Sequence, residues 1–188
     1  MSDPIQLPLR AVAITVSDRA SSGGYEDRSG PLLVSLLVEA GCEVDGPIVV
    51  PDGDPVEAEL RSCVAGGYDV VVTTGGTGLS PRDLTPEATA RVLEREIVGI
   101  AEAIRAAGRS AVPTAALSRG LAGVAGRTLI VNLPGSPNAV RDGMGVLGPL
   151  LHHIAGQLAG GGHLADRRGG DDHVADGGVG DDHRGRTT

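Results

Sequence analysis

Short apolar runs alternate along this chain with longer segments in which apolar residues recur at helical spacing. The runs at residues 11–16, 44–50, 69–74 and 128–133 are rich in Val, Ile and other small or β-branched residues. We predict a strand for each run, the second interrupted by Asp45-Gly46-Pro47. The strands are apolar on both faces, which is typical of strands covered on both sides by other elements.

Helical periodicity fills the segments between these strands. Pro31 is favoured in a first helical turn, and Gly41 is favoured just after a last turn. Asp54-Pro55 likewise has the composition of a helix start. We predict helices at residues 30–41 and 54–66, from Thr85-Pro86 onward, and at residues 97–107 and 138–158.

The alternation of strands and helices predicts an α/β fold. We expect three layers, with a mostly parallel sheet and helices on both of its faces. Ligands bind such sheets at the carboxyl ends of the strands, near a switch in strand order. The loops at residues 17–29, 51–54, 75–83 and 132–138 each follow a strand. They are therefore expected to converge at one edge of the sheet.

Length and composition predict one domain with a tail. The domain covers residues 1–160, and the composition then changes to Gly, Asp, His and Arg at residues 161–188. Such a segment buries too little apolar surface to fold, so we expect a disordered tail. The alternative is a metal-binding tail, because His163, His173 and His183 recur at intervals of ten.

The charged residues narrow the class of partner. The formal net charge is −8, and no Lys is present. This acidic balance disfavours nucleic acid and anionic membranes as partners, and the lack of Lys removes P-loop and Schiff-base lysines. The N-terminus does not resemble a signal or transit peptide, and the apolar run at residues 32–38 is too short to cross a membrane. We expect a cytoplasmic protein, with Cys42 and Cys63 as small buried side chains.

A glycine cluster follows the third predicted strand. Residues 75–78 read Gly-Gly-Thr-Gly, a composition that lets backbone N–H groups approach a phosphate closely. Tight corners use the same composition, so this cluster alone does not define a site. The spacing matches neither a dinucleotide-binding fingerprint nor a P-loop, which argues against a nicotinamide, flavin or P-loop enzyme.

A longer string around this cluster resembles a known family. Residues 73–89 read TTGGTGLSPRDLTPEAT, similar to the signature of the molybdopterin-binding fold and of the molybdopterin adenylyltransferases. The resemblance covers about residues 10–158. The other segments that carry it are VSDR at 16–19, EDRSGP at 26–31, VPD at 50–52, LSRG at 117–120 and LIVNLPGSP at 129–137.

The resemblance implies an activity. ATP and molybdopterin become adenylyl-molybdopterin and pyrophosphate in a Mg²⁺-dependent reaction, in a homotrimer or sometimes a hexamer. The product is expected to pass to the molybdenum-insertion enzyme. Two alternatives share the fold: a paralogue that binds molybdopterin without adenylylating it, and a scaffold or carrier whose pterin binding is indifferent to ATP and Mg²⁺.

The resemblance also implies site residues. Asp83 and Asp52 match catalytic carboxylates, and Mg²⁺ prefers carboxylate and phosphate oxygens. Arg82 or Arg119 is expected to clamp a phosphate. The family often has a basic residue where this chain has Asn138. The predicted substrate- and nucleotide-binding residues are Ser17, Asp18, Gly75, Gly76, Thr77, Gly78, Ser80, Ser118, Arg119, Asn132, Pro134, Gly135 and Ser136.

Structural roles compete with several of these assignments. Asp83 and Asp52 each lie in a segment that favours a turn, where an aspartate commonly caps the backbone. Arg119 is also suited to pairing with a helix carboxylate. For Asp27 and Arg28 we favour an ion pair between the two. The residues leave open which loop holds the pterin and which the nucleotide.

Overall fold

The computed structural model describes residues 8–24 and 26–160. The elements within these residues are β1 (Leu9–Val16), α1 (Asp18–Ser21), α2 (Ser29–Glu39), β2 (Cys42–Val50), α3 (Asp54–Ala65), β3 (Val70–Thr74), α4 (Thr85–Ala90), β4 (Arg95–Glu96), α5 (Val98–Ala111), β5 (Ala122–Ala125), β6 (Thr128–Leu133), α6 (Pro137–Leu147) and α7 (Leu151–Leu158).

The strands form one mixed sheet in the order β2-β1-β3-β6-β5-β4. The first four strands are parallel, and β5 and β4 extend the sheet antiparallel to β6. The predicted mostly parallel sheet is confirmed. The chain moves outward from β1 to β2 and then returns to β3 on the other side of β1. The strand order therefore reverses between β1 and β3, which is where open α/β sheets bind ligands.

Helices cover both faces of the sheet, as predicted. One apolar cluster joins the sheet to α2, α5, α6 and α7, with Leu33 and Leu37 of α2 fully buried. A second cluster joins the opposite face to α3 and α4, with Val56 and Leu60 of α3 fully buried. Leu, Ile, Val and Ala fill both clusters, since the chain has no Phe or Trp.

The two cysteines are buried free thiols, as predicted. Cys42 belongs to the first apolar cluster and Cys63 to the second, so the sheet lies between them. Burial raises the pKa of Cys42 to about 11 and the pKa of Cys63 to about 12. Both thiols therefore stay protonated and unreactive near neutral pH.

The prediction of one continuous helix at residues 138–158 is wrong. α6 ends at Leu147, a 3₁₀ turn covers Gly148–Leu150, and α7 follows. Pro149 explains the interruption, because proline has no N–H to donate to the carbonyl four residues earlier.

Strand β2 is longer than predicted and is not broken. Val12 pairs with Asp45 and Ile14 with Ile48, so Gly46 and Pro47 together face a single residue of β1. The Asp-Gly-Pro segment is thus a bulge inside the strand. β2 lies at the edge of the sheet, where a proline is tolerated.

Four short elements were not predicted: α1, β4, β5 and a 3₁₀ helix at Pro113–Leu117. β4 has two residues and β5 has four, too few to show a period. β5 requires a glycine at position 123, because a Cβ there would lie 2.4 Å from the carbonyl oxygen of Arg95 in β4. Tertiary packing forms this edge of the sheet.

The predicted tail, with His163, His173 and His183, lies outside the described residues, as does the segment 1–7. The prediction of a domain at residues 1–160 followed by a tail stays a prediction. Among the helices of residues 8–24 and 26–160, none is long and apolar enough to cross a membrane.

Two neighbouring residues of α2 test the packing of the first layer. Leu37→Ala removes a fully buried side chain and should lower the free energy of unfolding by about 2–5 kcal/mol. Val38→Ala should change it by no more than about 0.5 kcal/mol, because Val38 is 55% exposed. Urea unfolding of both variants checks the difference, and equal losses would contradict the described orientation of α2.

Candidate functional site

Four loops converge at the carboxyl ends of the parallel strands, as predicted. They follow β1, β2, β3 and β6, and together they surround a pocket of about 910 Å³. The predicted site residues that line this pocket are Ser17, Asp18, Asp52, Gly75, Gly76, Thr77, Gly78, Ser80, Asp83, Ser118, Pro134, Gly135 and Ser136. The structure thus brings together residues from five separate segments of the chain.

The glycine loop after β3 requires its glycines. Gly75 and Gly76 have φ angles of +104° and +62°, which side-chain-bearing residues rarely adopt. A Cβ on Gly75 would lie 2.2 Å from the carbonyl oxygen of Val16, so the loop packs directly on the end of β1. In the described part of the chain, the amides of Gly76, Thr77 and Gly78 donate no hydrogen bond. Successive unpaired amides of this kind form anion-binding concavities.

The loop after β6 packs against the glycine loop. A Cβ on Gly135 would lie 3.2 Å from the Cα of Gly75, and the Thr74 hydroxyl donates to the Pro134 carbonyl at 3.0 Å. Ser136 then caps α6, since its Oγ accepts a hydrogen bond from the Ala139 amide. The first turn of α6 lines the pocket, and its Asn138 amide, which donates no hydrogen bond within the described residues, adds to the helix dipole in favouring an anion.

A group of carboxylates lies beside the glycine loop. The amide of Asp52 donates to Oδ1 of Asp18 at 3.1 Å. Oδ1 of Asp52 itself is buried and has no hydrogen-bond partner. Burial, reinforced by the charges of Asp18 and Asp83, raises the pKa of Asp52 to about 6, although the Leu84 amide and Arg82 act in the opposite direction. The protein therefore provides too few hydrogen bonds and positive charges to stabilise an ionised Asp52.

Asp83 closes a turn and also lines the pocket. Its Oδ2 accepts a hydrogen bond from the Ser80 amide at 2.9 Å, and its own amide donates to the Ser80 carbonyl at 2.9 Å. These bonds close the turn that was the structural alternative for this residue. The side chain also lines the pocket, and Oδ1 makes no hydrogen bond within the described residues. The turn thus orients Asp83 and leaves one carboxylate oxygen for a ligand.

The carboxylates of Asp52 and Asp83 have the chemistry that a hard cation requires. In the described residues, no group of three or more His, Cys, Asp or Glu side chains is arranged to hold a metal. Mg²⁺ commonly binds one or two carboxylates and completes its shell with water and substrate phosphates. The unpartnered Oδ1 of Asp52 and the charges around it match that requirement. Asp52 and Asp83 are therefore suited to a cation that arrives with a phosphate ligand.

The charge of the whole lining leads to the same requirement. Carboxylates outnumber guanidinium groups by five to three: Asp18, Asp27, Asp52, Asp83 and Asp142 against Arg19, Arg28 and Arg82. Such a pocket repels a polyanion unless a cation or unpaired amides offset the charge. The pocket offers the amides directly, and its carboxylates attract the cation.

The structure does not bring Arg119 to the pocket lining. Its Nε donates to the Gly78 carbonyl at 2.8 Å, and its Nη2 donates to the Asp83 carbonyl. Its Nη1 pairs with Glu87 of α4, which is the helix carboxylate that the structural alternative required. Arg119 therefore stabilises the loop at residues 78–83 from outside the pocket.

Asn132 also lies away from the lining, buried at the end of β6. Its amide nitrogen donates to the hydroxyls of Thr73 and Thr89, both at 3.0 Å. Its Oδ1 accepts from the Leu121 amide at 3.1 Å. The side chain fixes β6 against β3 and α4.

The predicted ion pair between Asp27 and Arg28 is wrong. Asp27 accepts hydrogen bonds from the amides of Ser29 and Gly30 in the first turn of α2, and from the hydroxyl of Thr15 at 2.7 Å. Arg28 pairs with Glu26 at 3.5 Å on the surface. A carboxylate placed just before a helix is better satisfied by the unpaired amides of the first turn.

Sequence reasoning missed part of the lining. Val112, Thr114 and Ala115 reach the pocket from the connection after α5, which follows a helix and carries no motif. The packing of α5 against α6 and against the 3₁₀ helix Pro113–Leu117 brings this connection to the site. Arg19 and Arg28 were detectable in principle, because both lie in the loop that follows β1.

The fold and the site define an α/β protein with a large polar pocket at the switch point of its sheet. Residues 12–153 match the family described as "Probable molybdopterin binding domain", and the chain belongs to that family.

Individual relatives agree with this assignment. A molybdenum cofactor biosynthesis bifunctional protein of Chlorobaculum tepidum is 38% identical over 156 residues, covering 82% of this chain and 50% of the relative. The chain thus spans about half the length of that protein. A molybdopterin adenylyltransferase of Helicobacter pylori J99 is 39% identical over 151 residues, covering 78% of this chain and 86% of the relative.

A solved structure shares the fold. The crystal structure of a molybdopterin biosynthesis protein from Mycobacterium abscessus superposes with a TM-score of 0.77 at 49% sequence identity. The match covers 81% of this chain and 97% of that chain.

Two glycines with similar φ angles test the crowding beneath the glycine loop. A Cβ on Gly76 would lie 2.3 Å from Oδ1 of Asp52, whereas a Cβ on Gly67, with φ +70°, would contact nothing within 4 Å. Gly67→Ala should cost about 1–2 kcal/mol of backbone strain. Gly76→Ala should cost about 1–3 kcal/mol more, because buried groups must move. Chemical denaturation measures both, and equal costs would contradict the contact.

The raised pKa of Asp52 predicts a pH dependence of stability in metal-free buffer. Because its pKa of about 6 in the folded state exceeds the ordinary 3.8, the folded state holds more protons between these values. Stability contributed by this group is therefore lost as pH rises from about 4 to 6. At pH 7.5 the free energy of unfolding of Asp52→Asn should therefore be roughly 1 kcal/mol higher than that of the wild type, allowing for solvent screening.

Asp54→Asn is the matched control, since Asp54 lies two residues away and is exposed. It should leave the slope of stability against pH between 4 and 6 close to that of the wild type. A difference in stability between the wild type and Asp52→Asn that does not change between pH 4 and 6 would contradict the environment described for Asp52.

Proposed function

We propose that this protein acts in molybdenum cofactor biosynthesis by transferring AMP from ATP to molybdopterin in a Mg²⁺-dependent reaction. The observation that carries the proposal is the pairing of Asp52 and Asp83 beside unpaired backbone amides in one pocket. The relative from Helicobacter pylori, named a molybdopterin adenylyltransferase, supports the reaction, because the alignment covers 86% of its length.

The reaction joins two polyanions. An oxygen of the pterin's terminal phosphate forms a bond to the α-phosphorus of ATP, and the bond from that phosphorus to the bridging oxygen of the β-phosphate breaks. Pyrophosphate leaves, so no nucleophile from the protein is needed. Catalysis of this kind depends on positioning and charge stabilisation. The pocket of about 910 Å³ is at the upper end of the range for ligand sites, which suits two substrates.

The protein's own groups divide this work. The amides of residues 76–78 and the N-terminus of α6 donate hydrogen bonds to phosphate oxygens. Arg82 adds positive charge beside Asp52. Asp52 and Asp83 would hold Mg²⁺, which supplies neutralisation of the phosphate charge when it is bound.

Other parts of the proposal rest on the family resemblance. We propose that the protein works in the cytoplasm as a homotrimer, or as a hexamer built from trimers. The adenylylated product then passes to the molybdenum-insertion enzyme.

A product assay tests the proposed reaction. The wild-type protein, incubated with molybdopterin, ATP and Mg²⁺, should release pyrophosphate and form adenylyl-molybdopterin, measured by chromatography. Asp83→Asn and Asp52→Asn should each lower the rate by about 100-fold or more, because phosphate charge goes uncompensated. Asp54→Asn, which alters an exposed carboxylate outside the lining, should keep most of the activity.

Molybdopterin binding without product formation would contradict the proposed reaction. Tight molybdopterin binding without product, in the wild type and in every variant, would overturn the transferase and leave a binding-only paralogue or carrier. Binding that does not respond to ATP and Mg²⁺ would favour the carrier.

A further inference from the structure

Arg119 contacts the glycine loop at several points. Its backbone amide donates to the Thr77 carbonyl at 2.9 Å, and its guanidinium donates to the carbonyls of Gly78 and Asp83. The remaining guanidinium nitrogen pairs with Glu87 of α4. One side chain therefore ties both ends of the segment 78–83 to the helix that follows it.

The segment 78–83 has few other restraints. Leu79 is 65% exposed, and residues 80–82 are also exposed. Apart from Arg119, the segment is held mainly by the two bonds between Ser80 and Asp83. Those bonds do not fix the turn to the rest of the protein, and they stay closed only while the two ends of the turn, Gly78 and Asp83, are held in place. Just after the segment, the Leu84 amide bonds to Asp52 and Thr85 bonds to the carbonyls of Gly75 and Gly76, whereas on the segment itself it is Arg119 that bonds to the carbonyls at both ends.

We infer that Arg119 is a positioning residue, whose guanidinium fixes the turn at residues 78–83 so that the carboxylate of Asp83 is held opposite Asp52. The effect on catalysis rests on the proposed function, whereas the effect on the turn does not. Arg119 acts through the Gly78 and Asp83 carbonyls and does not touch the ligand.

The shape of the guanidinium matters for this role. It presents several donors in one plane at fixed angles, and here they reach two carbonyls and a carboxylate. A lysine ammonium in the same place is a single point with a flexible stem and can satisfy only part of this set. Arg119→Lys should therefore restore part of the positioning and Arg119→Met none.

Two further variants separate the contacts. Glu87→Gln removes the ion pair of Arg119 but leaves its bonds to both carbonyls. Arg91→Met is the matched control, because Arg91 pairs with Glu57 and Asp54 at the end of α4 without contacting the turn. Arg91→Met should behave like the wild type in the measurements below, and Glu87→Gln should show a smaller effect than Arg119→Met, because both carbonyl bonds remain.

Hydrogen exchange of the full chain, followed by NMR, tests the inference without any substrate. The Ser80 amide is a direct reporter, since it donates to Oδ2 of Asp83. In Arg119→Met this amide should exchange about tenfold faster than in the wild type, as expected for a local opening. Exchange in β1, β3 and β6 should not change. Unchanged exchange at Ser80 would overturn the inference.

Steady-state kinetics test the consequence of this positioning for catalysis. In Arg119→Met, kcat should fall about 10- to 100-fold, and the Mg²⁺ concentration for half-maximal rate should rise, because the two carboxylates no longer share one geometry. The KM for ATP and for molybdopterin should change less than threefold, and Arg119→Lys should recover part of kcat. A large rise in either KM with unchanged kcat would show direct ligand contact and overturn the positioning role.

The two proposals fail separately. If the wild type forms no adenylyl product, the proposed function fails, and the exchange of the Ser80 amide still decides the role of Arg119. If the wild type is active and Arg119→Met matches it in exchange and in Mg²⁺ requirement, only the positioning role fails.

Discussion

The close packing of the glycine loop on the end of β1 is the constraint on which the rest of the site depends. A Cβ on Gly75 would overlap the Val16 carbonyl, and one on Gly76 would overlap Oδ1 of Asp52 and the Thr85 hydroxyl. Because neither side chain is present, β1 and β3 deliver their loops to the same place. The anion-binding amides and the buried carboxylate become neighbours as a result.

The site contains more negative charge than its own positive groups offset. Asp52 is buried beside Asp18 and Asp83, and its Oδ1 has no partner, so its ionised form costs stability in the free protein. In the proposed reaction, a cation that arrives with a phosphate ligand would offset that cost. In the free protein, the surrounding hydrogen bonds keep the carboxylates and amides in place. They include those of Asp27 at the start of α2 and those of Arg119 to the turn at residues 78–83.

Local patterns predicted most of the fold. The buried strands β1, β3 and β6 were found from their apolar runs, and the convergence of four loops followed from their parallel order. The errors have local causes: Pro149 interrupts the last helix, and Gly46-Pro47 forms a bulge. The elements that were missed, which include α1, β4 and β5, are too short to show a period.

The sequence by itself determined the family, the layers and the pocket-lining motifs, since these depend on residue type, period and spacing. The tertiary structure decided what each polar side chain does. Arg119 and Asn132 lie within motifs, yet their side chains bond to other protein groups and do not line the pocket, while Val112, Thr114 and Ala115 line it without any motif. A side chain's partners depend on elements that are distant in the chain and meet only after folding, which no local pattern records.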